Sequence, residues 1–364
     1  EMGGEIQNFI KVWIAAITCL CYCYYIVSRI PKGFFRLLFL SPIFSLLTIL
    51  PLSLSSFHLG GPTAFFLVWL ANFKLLLFSF NQGPLSSPFP SNIFHFIFIA
   101  SLPIKIKQRP HSNISSQNNH TLKNNNTKNP SHQHSIISTG VPQSIFLGIK
   151  VILLAMIICA YDYRDKLQPH LILALYFCHL YLGIELTLAI SAAPARAVFG
   201  FELEPHFDEP YLSTSLQDFW GRRWNLMVTS ILRPTVYNPV RHFVGWGPLP
   251  AVIATFTVSG LMHEVLYYYL SRAPPTWEVT WFFILHGVST AVEVEVKKAV
   301  LARGWRLQRA VSGPLTLLFL AGTGKWLFLP QLLRNGVDKK AIKEYPVMVE
   351  FVSSNFFHFL SSFA

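Results

Sequence analysis

Charge is what this chain has least of. Asp, Glu, Lys and Arg make up 13% of its 364 residues, against about 25% in a soluble domain. Acid is scarcer than base, 17 residues against 29, for a formal net charge of +12. No basic repeat or recognition motif accompanies that excess, which excludes a nucleic-acid partner; loops facing anionic headgroups account for it better. Cysteine is nearly missing too. Cys19, Cys21 and Cys23 alternate and so point to opposite faces of a helix, where they cannot converge on a metal. Cys159 and Cys178 lie in separate apolar segments, and all five are expected to be small buried hydrophobes. There is no G-x-S-x-G elbow, no phosphate-cradling glycine loop and no H-E-x-x-H. Covalent serine catalysis and zinc hydrolysis therefore have no support, and no metal or cofactor is expected.

What fills the chain instead is apolar residue, 52% of the total, with 15% aromatic. Segments 9–30, 34–56, 62–80, 144–161, 170–193, 251–270, 277–296 and 310–333 each approach the ~20 residues that cross a bilayer. The first has no cleavage pattern and is expected to be retained. Pro42 and Pro51 should kink the second. Segment 92–104 is apolar but too short to cross, and suits a re-entrant or interfacial helix. With it not crossing, Lys32/Arg36, Lys105/Lys107/Arg109, Arg222/Arg223/Arg233/Arg241 and Lys297/Lys298/Arg303/Arg306/Arg309 share one side, expected to be cytosolic. The expectation is an all-α polytopic bundle of about eight spans, a single membrane-embedded domain over 1–364. Residues 108–143 form an Asn-, Ser- and His-rich island, expected to be disordered. Its sequons at Asn113, Asn119 and Asn125 then stay unmodified, and His111, His120, His132 and His134 hold no metal.

Two polar concentrations interrupt this greasy background. One is His263-Glu264, inside segment 251–270; a charged side chain at mid-helix costs roughly 2.5–3.5 kcal/mol on insertion scales, so such residues usually serve a site. At helical spacing Ser259, Gly260, His263 and Tyr267 share a face, the small pair leaving room for a substrate chain. A neutral imidazole is the cheapest proton acceptor to keep in a low-dielectric site. Glu264 points elsewhere and is expected to cap or pair. His286 and Glu185, in other spans, suit bundle glue and site lining equally. The other concentration is Gln217-Asp218-Phe219-Trp220-Gly221-Arg222-Arg223-Trp224-Asn225. Thr214 with Gln217, or Ser215 with Asp218, can form a capping box. As an α-helix the string puts Asp218, Arg222, Asn225 and Thr229 on a polar stripe and Trp220, Trp224 and Met227 on an interfacial one. A histidine base, an amide donor and no nucleophile suit direct attack by a substrate hydroxyl on an activated acyl group.

At these residues the chain resembles the plant wax synthases, a branch of the membrane-bound O-acyltransferase superfamily. The likeness runs through Glu204-Pro205 to Tyr211, Asp218 to Val228 and Val258 to Glu264, with further stretches at Ser55–Thr63, Val68–Leu77, Gly83–Ser86 and Trp326–Gln331. It covers nearly the whole chain except the island, which is longer than expected. No His-His-x-x-x-Asp motif is present, which separates it from the soluble-fold bacterial wax synthases. The resemblance implies transfer of a fatty acyl group from acyl-CoA to a long-chain alcohol, with acyl-CoA as co-substrate and the endoplasmic reticulum membrane as location. It also implies that His263 matches the superfamily's catalytic histidine and Asn225 its second active position. Arg222 and Arg223 are then expected on CoA phosphates, with Asp218 fixing Arg222. Gln217, Trp220, Trp224, Ser259 and Tyr267 are expected to line the substrate site, with Glu264 and His286 in support. A sterol or diacylglycerol acyltransferase is the nearest rival and a lipid transporter the more distant one. The transporter has no inverted repeat or paired broken helices in its favour.

Overall fold

A computed structural model describes residues 2–86, 89–107, 143–200, 202–245, 247–302 and 308–361. The expected disorder, sequons and histidines of the Asn-rich island fall at 108–142, outside the described residues, as do Arg109, Arg303 and Arg306. Most of the described residues are helical, as hydropathy dictates, joined by loops that include an isolated bridge between Ile106 and Leu203. In a bilayer core every backbone polar group must be satisfied within its own segment, and apolar runs of this length can do that only as helices.

Helix α1 spans Met2–Tyr25 and α2 spans Phe34–Ile49, with Pro42 inside it. Helix α3 (Phe57–Ala64) widens into a π-helical turn at Phe65–Ala71 and resumes as α4 (Asn72–Ser79). The short α5 (Ile93–Ser101) follows, then α6 (Gln143–Ala160) and α7 (Pro169–Phe199). Next come α8 (Leu216–Asp218), a π turn at Phe219–Arg223, α9 (Leu226–Leu232), a second π turn at Arg233–Tyr237 and α10 (Asn238–His242). The chain continues as α11 (Pro248–Ser271), α12 (Glu278–Ala302), α13 (Arg309–Thr323), a π turn at Gly324–Phe328, α14 (Pro330–Arg334) and α15 (Val337–Ser361).

Seven of the described helical runs are long and apolar enough to cross a membrane: Met2–Arg29, Phe34–Ser53, Phe57–Ser79, Ile145–Lys166, Pro169–Phe199, Pro248–Ser271 and Glu278–Val300. The eighth expected span is present but interrupted. Gly313 of α13 lies against the Ser213 carbonyl, Thr323 reaches His286 midway along α12, and Gln331 and Arg334 meet Thr276 and Glu278 at its start. The α13–α14 run therefore traverses the bundle beside α12, in pieces. Alternating crossings place Lys32, Lys105, Lys107, Arg222, Arg223, Arg233 and Arg241 at one end of the bundle, while Arg164, Arg272 and Arg334 lie at the other.

Segment 92–104 does not cross. Its nine-residue helix α5 ends inside the bundle, where fully buried Lys74 donates to the carbonyls of Ile99 (2.6 Å) and Leu102 (2.7 Å). A buried ammonium is tolerable there because it satisfies the orphan carbonyls of a helix terminus. Arg36 acts similarly, capping the ends of neighbouring segments through Ile30, Ser28 and Phe78 carbonyls. Glu185 pairs with Lys150 between α7 and α6, so it is glue. Of the cysteines only Cys23 is buried; Cys19 and Cys21 are half-buried, and Cys159 and Cys178 are exposed on the bundle's outer face. The expectation of five buried cysteines is corrected because an outer face that meets lipid needs no burial to suit an apolar thiol.

Candidate active site

The polar string does not form one α-helix. Ser215 caps α8, its Oγ accepting from the Asp218 N–H (3.1 Å), half of the second expected box; the Asp218 carboxylate reaches back one residue further, to the Thr214 N–H (3.3 Å). Glu293 of α12 pins the same start by accepting from the Leu216 N–H (2.7 Å). From Phe219 the backbone widens, and the Trp224 N–H reaches back to the Phe219 carbonyl (2.8 Å). This wider turn changes which residues meet. Asp218 pairs with Arg223 (Nε to Oδ2, 2.9 Å), five residues on, and not with Arg222 as an α-helical spacing requires.

Arg223 also donates to the Asp208 and Glu209 carbonyls (3.0 and 3.2 Å), so its guanidinium is spent on stapling the preceding loop. Arg222 is exposed and, among the described residues, pairs with nothing. Gln217 is exposed as well. Trp220 and Trp224 share no outward stripe. Trp224 stacks on Phe219 and edges Phe207, while Trp220 turns towards Phe256, Phe282 and Phe283. The aromatics expected at the membrane interface are internal.

Asn225 breaks the chain sharply, with φ +40° and ψ +64°. Asparagine tolerates this left-handed region better than most residues. Its Oδ1 caps α9 by accepting from the Val228 N–H (3.3 Å). The flanking loop holds it on both sides, with the Asp208 N–H on the Arg223 carbonyl and the Leu226 N–H on the His206 carbonyl. His206 is buried, which pulls its imidazole below the usual range, and its Nε2 donates to the Pro103 carbonyl. Among the described residues the Nδ2 donor of Asn225 makes no hydrogen bond.

His263 sits in α11 with Nδ1 2.7 Å from the Ser259 carbonyl. A carbonyl only accepts, so Nδ1 carries a proton, and in the neutral ring Nε2 keeps the lone pair. Phe283 stacks on the ring at 4.2 Å, Trp69 stands edge-on at 5.1 Å and Phe328 at 6.0 Å. The ring is thus oriented and walled by aromatics.

Several expected neighbours do other work. The space beside Gly260 belongs to α12: an added Cβ would meet the Thr280 Cα at 3.0 Å and the Phe283 Cβ at 3.2 Å. The expectation of room there for a substrate chain is corrected, because the glycine serves a close helix crossing. Glu264, one residue after the base, accepts from the Thr280 N–H and hydroxyl (both 3.3 Å) and so caps the first turn of α12, as expected. Tyr267 is buried and donates to the Phe328 carbonyl (2.8 Å), tying α11 to the π turn. His286 is fully buried: Nδ1 accepts from Trp220 Nε1 (3.1 Å) and Nε2 donates to Thr323 (2.9 Å). With both nitrogens satisfied it is a clamp.

His263 and Asn225 share no hydrogen bond; they are linked through packing. Thr229 of α9 donates to the Trp220 carbonyl (3.3 Å), and the Trp220 ring touches Phe283, which stacks on His263. Trp69, Phe283 and Phe328 escaped the sequence reading because no spacing ties residue 69 or 328 to 263. The one available signal was an indole in the middle of an apolar span, away from the interfacial belts where Trp collects. Among the described residues no group of three His, Cys, Asp or Glu side chains can hold a metal ion.

Comparison with known proteins agrees with this chemistry. Residues 203–285 match the model of the "Membrane bound O-acyl transferase family". The chain is 51% identical over 359 residues to the long-chain-alcohol O-fatty-acyltransferase of Simmondsia chinensis, covering 96% of this chain and 97% of that one. It is 46% identical to the probable long-chain-alcohol O-fatty-acyltransferase 1 of Arabidopsis thaliana (94% and 96% covered). It is also 44% identical to the acyl-CoA–sterol O-acyltransferase 1 of Arabidopsis thaliana (95% and 96% covered).

Proposed function

This chain belongs to the membrane-bound O-acyltransferase family, and we propose that it transfers a fatty acyl group from acyl-CoA to a long-chain fatty alcohol, forming a wax ester and free CoA. The observation that carries the reading is an imidazole with its lone pair free at Nε2, held among aromatic rings inside a membrane bundle. His263 Nε2 takes the hydroxyl proton as the alcohol oxygen attacks the thioester carbonyl. The tetrahedral intermediate collapses to the ester, and the proton leaves with the CoA thiolate as the thiol. Asn225 Nδ2 donates to the developing oxyanion, and preorganised donors aimed at developing charge are a large source of rate.

Arg222, exposed and unpaired among the described residues, meets the CoA phosphates; guanidinium forks suit that task. The reaction needs only hydroxyl, thioester and base, so acyl-CoA is a co-substrate and no metal or cofactor takes part. CoA is water-soluble while the acyl and alcohol chains are apolar, which supports a CoA entrance at the Arg222 end on the cytosolic side of the endoplasmic reticulum membrane, with alcohol arriving from the lipid.

Similarity to an acyl-CoA–sterol O-acyltransferase supports one second reading, in which the acceptor is a sterol. Expression in a host lacking neutral-lipid acyltransferases, fed fatty alcohol, sterol and diacylglycerol in parallel, separates them. Wax ester alone is expected, and sterol ester alone selects the second reading. No ester with any acceptor overturns both.

A further inference from the structure

Two indole nitrogens are buried without a hydrogen-bond partner among the described residues, those of Trp13 and Trp69, and only Trp69 lies against His263. The Trp69 side chain is 1% exposed. An indole N–H can donate but not accept, and enclosing it unpaired destabilises the fold. Trp69 is carried on the π turn Phe65–Ala71, a backbone form that recurs at functional sites. The same turn packs Phe66 and Leu70 against Met227 and Ile231 of α9, the helix that Asn225 opens. One element therefore touches both the base and the amide-bearing helix.

The chemistry selects the ligand. In the reaction above the alcohol hydroxyl already has its partner, the lone pair of His263. The thioester carbonyl oxygen is acceptor-only and gains a negative charge as the carbon–oxygen bond to the alcohol forms. A donor-only group beside the base matches that atom. We propose that Trp69 is a further catalytic residue, its Nε1–H donating to the thioester carbonyl oxygen and to the oxyanion it becomes, opposite or beside the Asn225 amide. No proton leaves the indole: the hydroxyl proton goes to His263 and then to the departing CoA thiolate. This inference rests on the acyltransferase reading.

The test installs at position 69 a benzothiophene side chain, which replaces the N–H by sulfur and keeps the shape. It is compared with Trp69→Phe and the unaltered chain in the same microsomes. Turnover of the benzothiophene protein should fall about 10²–10³-fold, as on loss of an oxyanion donor, while KM for acyl-CoA barely moves. Its thermal unfolding midpoint should hold or rise, because a stranded donor has gone. Unchanged turnover would overturn the proposal, as would a turnover loss that merely follows a drop in the unfolding midpoint. An unaltered chain that esterifies no alcohol or sterol would sink the acyltransferase reading, and this inference with it. An active chain with an equally active benzothiophene variant sinks the Trp69 assignment alone.

Discussion

His263 is poised by a single backbone contact. With Nδ1–H committed to the Ser259 carbonyl, the neutral ring keeps a lone pair at Nε2, and removing the ring would remove the proposed base without disturbing that helix. His263→Ala should lower kcat about 10²–10⁴-fold while acyl-CoA binding stays nearly unchanged; full turnover in microsomes would defeat the assignment. Asn225 caps α9 through its Oδ1, and among the described residues its Nδ2 makes no hydrogen bond. Asn225→Asp keeps the cap acceptor and the tolerance for positive φ but loses the donor. It should cost about 10²–10³-fold in turnover at an unchanged unfolding midpoint, and unchanged turnover would show that the residue serves the backbone alone. Arg222→Ala should raise KM for acyl-CoA more than it lowers kcat, and salt should narrow the gap from wild type. A KM that does not respond would separate Arg222 from the phosphates.

At the scale of elements, the pair α11–α12 sets the wall of the site. Gly260 lets α12 approach, Gly287 of α12 sits under Phe256 of α11 (added Cβ at 2.8 Å), and Glu264 caps the joint. Gly260→Ala should push Phe283 off the imidazole, destabilising the fold by about 1–3 kcal/mol as overpacking does, with turnover falling too. Unfolding in detergent and ester formation both read it, and a variant as stable and active as wild type would refute the close crossing. Periodicity of 3.6 was right for α11 and wrong for the polar string. The π turn at Phe219–Arg223 shifts partners to i+5, which is why Asp218 meets Arg223. Such a turn has no local residue signature; here it is bracketed by the Glu293 contact before it and the Asn225 break after it.

Across the whole molecule, the last helix closes on the first spans. Glu344 of α15 accepts from Ser56, from the Phe57 and His58 N–H groups and from the His58 ring, capping α3 from the other end of the chain. Burial would push its carboxyl up, but these hydrogen bonds outweigh it and hold the pKa at about 2, below the ordinary 4.5. A carboxyl lowered on folding adds stability above its unfolded value, and that stability is lost as pH falls towards the folded one. The unfolding midpoint should therefore drop as pH goes from about 4.5 towards 2. Glu344→Gln should start lower at neutral pH and respond less to acid; parallel curves would rule out Glu344 as the source. The same scale explains the eighth crossing, where the run is broken at Gly324 yet completed by contacts with α12.

Composition and apolar run length were enough to establish a polytopic helical bundle and the short non-crossing segment 92–104, while motif chemistry and the family resemblance singled out His263 and Asn225 as the residues to test. Each depends on residues near one another in the chain or on a bilayer thickness common to all such proteins. What depended on distant segments meeting was not legible. Trp69 against His263, Arg223 rather than Arg222 on Asp218, Gly260 as a helix contact and His286 as a clamp all follow from packing between elements tens to hundreds of residues apart. Spacing along the chain carries no record of those approaches, because the close-packed interior decides them collectively.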